Sequence, residues 1–451
     1  MKKLLVLSLL LVILLGASWL LLSKAPPREE FQLSDGSRVA LSAVTVGTNH
    51  IAGSGFRAFV NRLPTPIADL VGRLSGQANL GRVFRTSETN LVLWIEQFGP
   101  ANGSRVNTSL AIRRPSEGAI SGELDYYNLN ISAGQSNALH HVGFRNWPRR
   151  SPNLECVVFE RDSNWELQEI GSFTFKNPQI ANAPIWTPES LPATKTVGDL
   201  TLTLEDFASG TSMNSIYRRT AEGKTEIAYP AAKPNEEPKA MAHVKIKSPR
   251  GTNEVWEAYN ADLRDATGNR ARPGSRSHDY DLIHFSPTLW PDENAWKLRL
   301  HVKRKSGFTQ GELITFSNVP LPAVGFTNNP TLTNVTMNIK STLAEIQRRP
   351  PHDENQKSSS MRDYSGIRLN HDTLNETNQL DLVSLTLQPS GEIIPNRGAS
   401  WSSAYHEYRF ESIPLEATHI DLVFSIQKAR FAEFLVAPNW RTNEYVYQRP
   451  E

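Results

Sequence analysis

Few residues in this 451-residue sequence are spaced for chemistry. His140 and His141 are adjacent, so on a strand they point to opposite faces and do not share a metal. His278-Asp279-Tyr280-Asp281 puts two carboxylates on one face of a strand, which is half a metal site or a solvated edge. Asp262-Leu-Arg-Asp265-Ala-Thr-Gly268-Asn269 gathers acidic residues around a glycine. It lacks the Asp-x-Asp-x-Asp-Gly ladder and distal glutamate of a calcium loop, and reads as a hairpin turn. Hydrolysis by serine needs a strained Gly-x-Ser-x-Gly elbow, and Gly53-Ser54-Gly55 is only a loop. Neither glycine-rich phosphate cradle occurs. Glycosidase carboxylates need only converge in space, and nothing selects a pair from 46 acidic residues. The sequence therefore nominates no catalytic, metal or cofactor residue, and it points away from an enzyme and from a cofactor.

Two residue types remain. Cys156, the only cysteine, adjoins Val157, Val158 and Phe159 and reads as a buried strand thiol. Ten tryptophans are numerous. Trp147, Trp290 and Trp296 flank recurring Phe…Pro elements, and Trp186, Trp401 and Trp440 lie near domain edges. Exposed, they would stack on sugar rings; packed, they fill cores or domain joints. Five Asn-x-Ser/Thr triplets, at Asn102, Asn107, Asn130, Asn334 and Asn375, matter only in a host that glycosylates.

The elements that would carry any site are strands, and they recur. Phe144…Pro148, Val157–Phe159 and Phe173…Pro178 form one series. Phe285…Pro291, Leu298–Val302 and Ile314…Pro320 form the second, and Phe410…Pro414, Ile420–Ile426 and Phe434–Pro438 the third. Each series is preceded by an alternating strand and a proline-to-glycine turn, at Pro115, Pro249 and Pro389. Proline presets the first turn dihedral and glycine accepts a positive φ. The interval is that of a domain, longer than the roughly 20–50 residues of solenoid repeats. We therefore expect a mainly β chain of tandem antiparallel β-sandwich domains over residues 31–190, 191–328 and 329–451. Further expectations are a short helix after Thr65-Pro66, a buried strand at Leu91–Ile95, and a strand from Val335 through Met337 to Ile339. The irregular stretches, including 229–238 and 347–362, fall between corresponding strands, where loops on a rigid frame carry binding.

Residues 4–22 follow Lys2-Lys3 and carry no charge, which at about 1.5 Å per residue spans roughly 28 Å of bilayer. Residues 1–30 read as a transmembrane helix and short stalk, a single-pass anchor with the body extracytoplasmic. Cleavage as a signal peptide, giving a secreted or periplasmic protein, is the alternative. An exported chain with one cysteine has no internal disulfide, so apolar cores must hold it. The formal net charge of +2 gives no basis for nucleic-acid binding.

Asp35-Gly-Ser-Arg-Val-Ala-Leu-Ser-Ala-Val-Thr-Val-Gly-Thr-Asn-His50 resembles the start of exported proteins of planctomycete and verrucomicrobial bacteria. The Asp265–Asn269 turn followed by Phe285, Pro291 and an alternating strand resembles immunoglobulin-like envelope domains. These likenesses imply fold and location and carry no activity. The expected role is an envelope binding or scaffolding protein with a protein or glycan partner and the membrane as its anchor. A carbohydrate-active hydrolase and a structural spacer are the alternatives.

Overall fold

Period-2 alternation organises the described chain into twenty-eight strands in antiparallel sheets, with one short 3-10 turn as the helical element. The computed structural model describes residues 29–51, 83–99, 106–113, 125–129, 137–161, 166–212, 214–233, 236–249, 252–271, 273, 281–350, 364–372, 374, 378–410 and 413–448. The expected anchor, the helix after Thr65-Pro66, His278, Asp279 and most of the 347–362 stretch lie outside them. Among the described residues no helix is long and apolar enough to cross a membrane.

Three large apolar cores are each enclosed by two sheets. The first unit contains β1 (Glu30–Gln32), β2 (Arg38–Ile51), β3 (Val83–Phe98), β4 (Val106–Arg113), β5 (Asp125–Leu129), β6 (Asn137–Phe144), β7 (Asn153–Arg161) and β8 (Leu167–Lys176). They pair as β1-β2-β3-β6 and β5-β4-β7-β8. Along β3, Leu91, Leu93 and Ile95 enter the core, while Val92 and Trp94 pack on the other face with Ala43 and Leu139. The expected buried strand is therefore covered on both sides. Cys156 is fully buried in the same core, as expected, and burial raises its thiol pKa.

The second unit contains β9 (Ala193–Val197), β10 (Leu200–Thr211), β11 (Ile216–Arg219), β12 (Thr225–Tyr229), β13 (Lys239–Lys247), β14 (Val255–Asp265), β15 (Arg270–Ala271), β16 (Leu282–Phe285) and β17 (Trp296–Ser306). The third contains β18 (Leu313–Pro320), β19 (Thr327–Asn328), β20 (Leu332–Thr336), β21 (Ile339–Gln347), β22 (Ser365–His371), β23 (Asn378–Gln388), β24 (Gly398–Trp401), β25 (Tyr405–Phe410) and β26 (His419–Lys428). The chain ends with β27 (Arg430–Val436) and β28 (Tyr445–Gln448). Strand order is equivalent in all three units. The first has β2-β3-β6 facing β4-β7-β8, the second β10-β13-β16 facing β14-β17-β27, and the third β21-β22-β25 facing β23-β26-β18.

The closing strands are exchanged. β18 follows β17 in sequence but pairs with β26, and β27 follows β26 but pairs with β17. Ile314, Phe316 and Val319 thus fill the third core, and Ala432, Phe434 and Val436 the second. The cause lies in the connection. Only Ala429 separates β26 from β27, and an antiparallel hairpin normally needs a loop of about two residues. The chain therefore runs on from one sheet into the other. Residues 313–428 are nested inside the second unit, so pairing crosses the boundary expected at 328/329.

Two local expectations also fail. Val244–Ile246 lies on β13, which matches β3, whereas the strands before Pro115 and Pro389 are the equivalent pair β4 and β23. The alternation of Val335, Met337 and Ile339 is interrupted, because Met337 and Asn338 take φ of 51° and 61° and turn β20 into β21. A two-residue turn with both φ positive suits the twist of a hairpin. Past Pro389, Gly391 has φ 72°, the positive value that the proline-to-glycine pattern requires.

Candidate functional site

The first and second units meet through the segment after β6 and the Asp265–Asn269 turn after β14. Asp265 organises that turn. Its carboxylate accepts from the Thr267 amide (2.9 Å), the Thr267 hydroxyl (2.8 Å), the Asn269 amide (2.9 Å) and Asn269 Nδ2 (2.7 Å). Burial raises the Asp265 pKa while these bonds oppose the rise. The turn presents Asn269 to the first unit. Its Nδ2 donates to the Trp147 carbonyl (3.0 Å), and its Oδ1 accepts from the Trp147 amide (3.2 Å) and Arg149 Nε (3.0 Å). Asn146 adds a reciprocal pair with the Arg270 backbone, at 2.8 and 2.9 Å. Trp290 of the second unit packs into the first core, and Arg150 holds Glu293 at 2.6 Å.

This joint borders a cavity of about 370 Å³. Arg145 and Arg149 line it from the first unit, Arg270 and Ser286 from the second, and Glu88 from β3. The Arg149 guanidinium lies 3.8 Å over Trp147 and donates through Nη2 to the Arg145 carbonyl (3.1 Å) and the Thr89 carbonyl (3.5 Å). Burial lowers its pKa, opposed by Asp265 and Glu88, but a guanidinium remains charged. Arg149 Nη1 lies 3.7 Å from where a side chain at Gly268 would begin, an ordinary contact distance, and the positive φ of 99° is what calls for glycine there. Arg270 is shared loosely between Asp262 (3.4 Å) and Glu88 (3.9 Å). Arg145 is exposed and its guanidinium makes no ion pair among the described residues.

Three guanidinium groups thus face one lining carboxylate. Such a site can hold an anion by bidentate charge-assisted hydrogen bonds. Among the described residues no histidine lines it, Glu88 is the one lining carboxylate, and the Ser286 hydroxyl donates to Glu237 (2.9 Å). No protein-family model matches the chain, and no curated protein matches its sequence.

The residues first considered for chemistry fall elsewhere. His140 and His141 sit on opposite faces of β6, opposite Ile95 and Trp94 respectively. Asp281 is exposed. Among the described residues no three His, Cys, Asp or Glu side chains are grouped to hold a metal. Trp147, Trp290 and Trp296 are buried in cores. Trp440 packs against Gly210 and Trp186 takes Lys297 at 5.3 Å, so neither is a bare platform for a sugar. The arginines drew no attention in the sequence because Arg145 and Arg270 lie in separate segments that only the Asn269 joint brings together.

Proposed function

We propose that this protein is a membrane-anchored, extracytoplasmic binding protein of the cell envelope, built of tandem immunoglobulin-like β-sandwiches. It holds its ligand in the cleft between the first and second units. The uncharged run at residues 4–22 supports the anchor. Three strands facing three in an equivalent order, with the chain crossing between sheets, support the immunoglobulin-like reading. The observation that carries the binding role is the cleft itself, with Arg145 free of ion pairs among the described residues and half-buried Arg149 at a rigid joint. A hydrolase would draw support from two carboxylates in a tryptophan-lined cleft, and among the described residues this cleft offers one carboxylate and no tryptophan.

The test is crosslinking in intact host cells followed by capture of the full-length chain, wild type beside Arg145→Glu. Arg145 is exposed and its side chain bonds to nothing that holds the fold among the described residues, so charge reversal there spares folding. The expected outcome is an envelope component captured by the wild type and lost from the variant. Equal capture by both would remove the cleft from the binding role.

A further inference from the structure

We infer that the cleft recognises an oxyanion carried on a sugar-sized unit, a carboxylated or phosphorylated monosaccharide residue of an envelope glycan. This inference rests on the reading of the cleft as the binding site.

Size sets the first limit. A cavity of about 370 Å³ lies at the small end of ligand pockets and suits one ring rather than a protein side or a lipid chain. Charge sets the second. Arg145, Arg149 and Arg270 outnumber Glu88, and the Arg149 Nη1 hydrogens have no acceptor among the described residues. A half-buried guanidinium with donors to spare gains more from an oxyanion than from a hydroxyl. Chemistry of the walls sets the third. Neutral sugars are commonly gripped by stacking on an aromatic ring. Among the described residues no aromatic ring lines the cleft, and Trp147 beside it is buried beneath Arg149. The ring of the ligand therefore meets the hydroxyl-bearing edge at Thr89 and Ser286, and its anionic group meets the guanidinium cluster.

Glu88 gives the site an internal competitor. Its carboxylate stands 3.9 Å from Arg270, so an arriving oxyanion must displace it or share the guanidinium. Removing that charge should tighten binding of an anion and leave a neutral ligand unaffected. This is a gain that a misfolded variant cannot mimic.

The experiment is calorimetric titration of the full-length chain in detergent micelles with glucuronate, glucose 6-phosphate and glucose. We expect glucuronate, glucose 6-phosphate or both to bind, and which of them binds identifies the source of the anion. Arg145→Ala should weaken that binding about tenfold or more. Glu88→Gln should tighten it roughly threefold, and added salt should weaken it. Glucose binding as tightly as the two anions would overturn the oxyanion inference and leave the cleft as the site. If none of the three binds while Arg145→Glu still abolishes capture in cells, the cleft stands and the glycan inference falls. If none binds and capture is unchanged, both fall.

Discussion

The exchange of closing strands predicts that the second and third units lose stability together, and Gln427 is the place to test it. β17 and β27 pair as far as Val302 opposite Arg430. Beyond that point the backbone of β27 has already left toward β26. The Gln427 side chain takes over: its Oε1 accepts from the Arg304 amide and its Nε2 donates to the Arg304 carbonyl, both at 2.7 Å. Gln427 is 2% exposed, so no water replaces it. Arg304 in turn holds Glu254, just before β14, at 2.8 Å, and Glu312, between β17 and β18.

Gln427→Leu keeps the volume and removes both bonds. It leaves one buried backbone N–H and one buried C=O unpaired, at about 1–3 kcal/mol each, or roughly 2–6 kcal/mol in all. Native-state hydrogen exchange reads the loss directly. Because β27 completes the sheet of β17 while β18 completes that of β26, neither unit opens with the other intact. Amides of Leu298 on β17 and Leu422 on β26 should exchange faster by the same factor, roughly 30-fold to 20,000-fold. A loss confined to Leu298 or to Leu422, or a stability change below about 0.5 kcal/mol, would refute the coupling.

Two further perturbations test the joint and the acid limit. Asn269→Ala removes the bonds to Trp147 and Arg149 and leaves the buried Trp147 amide and carbonyl unpaired; it should cost about 2–4 kcal/mol by urea denaturation and weaken ligand capture as well, because the same side chain positions Arg149. His284 is buried beside Tyr229, and its pKa is pushed down to about 4, by burial first and by Lys239 second. Its folded value lies below the unfolded value near 6.5, so the unfolded chain binds the proton first; the contribution is full above about 6.5 and is lost as pH falls toward 4, up to about 3 kcal/mol. Denaturation midpoints of His284→Gln between pH 4 and 7 should fall less steeply than those of the wild type, with His406, also pushed to about 4, supplying part of the slope that remains. An unchanged slope would show that His284 does not titrate across unfolding.

Strand type and burial were legible in the sequence wherever alternation met a single core. Ile420, Leu422, Phe424 and Ile426 are all fully buried, and so are Leu298, Leu300 and Val302. Partnership was not legible. β18 and β27 each stand where a closing strand belongs, and alternation says which face is apolar but not which sheet receives it. The deciding fact, a one-residue link at Ala429, becomes visible only once both strand ends are known. The Met337-Asn338 turn was hidden for a similar reason. Its residues continue the alternation of β20, and only the positive φ at both positions breaks the strand.

The cleft was illegible for a different reason, which concerns charge. The chain holds 48 basic and 46 acidic side chains, and a count so balanced says nothing about which of them cancel. Folding decides that. Arg113 is taken by Glu155 and Glu169, Arg150 by Glu293, and Arg218 by Glu444. Arg149 is placed by a carbonyl, an amide oxygen and an indole ring, which orient it without neutralising it. An exposed ion pair contributes little to stability, so loss of a partner at Arg145 costs the fold almost nothing. The Arg149 guanidinium, offset by Asp265 and Glu88 only without direct contact, keeps its Nη1 donors for an anion that comes from outside. The Asn269 joint therefore does two things with one side chain. It fixes the first unit on the second, and it positions Arg149 without spending its charge.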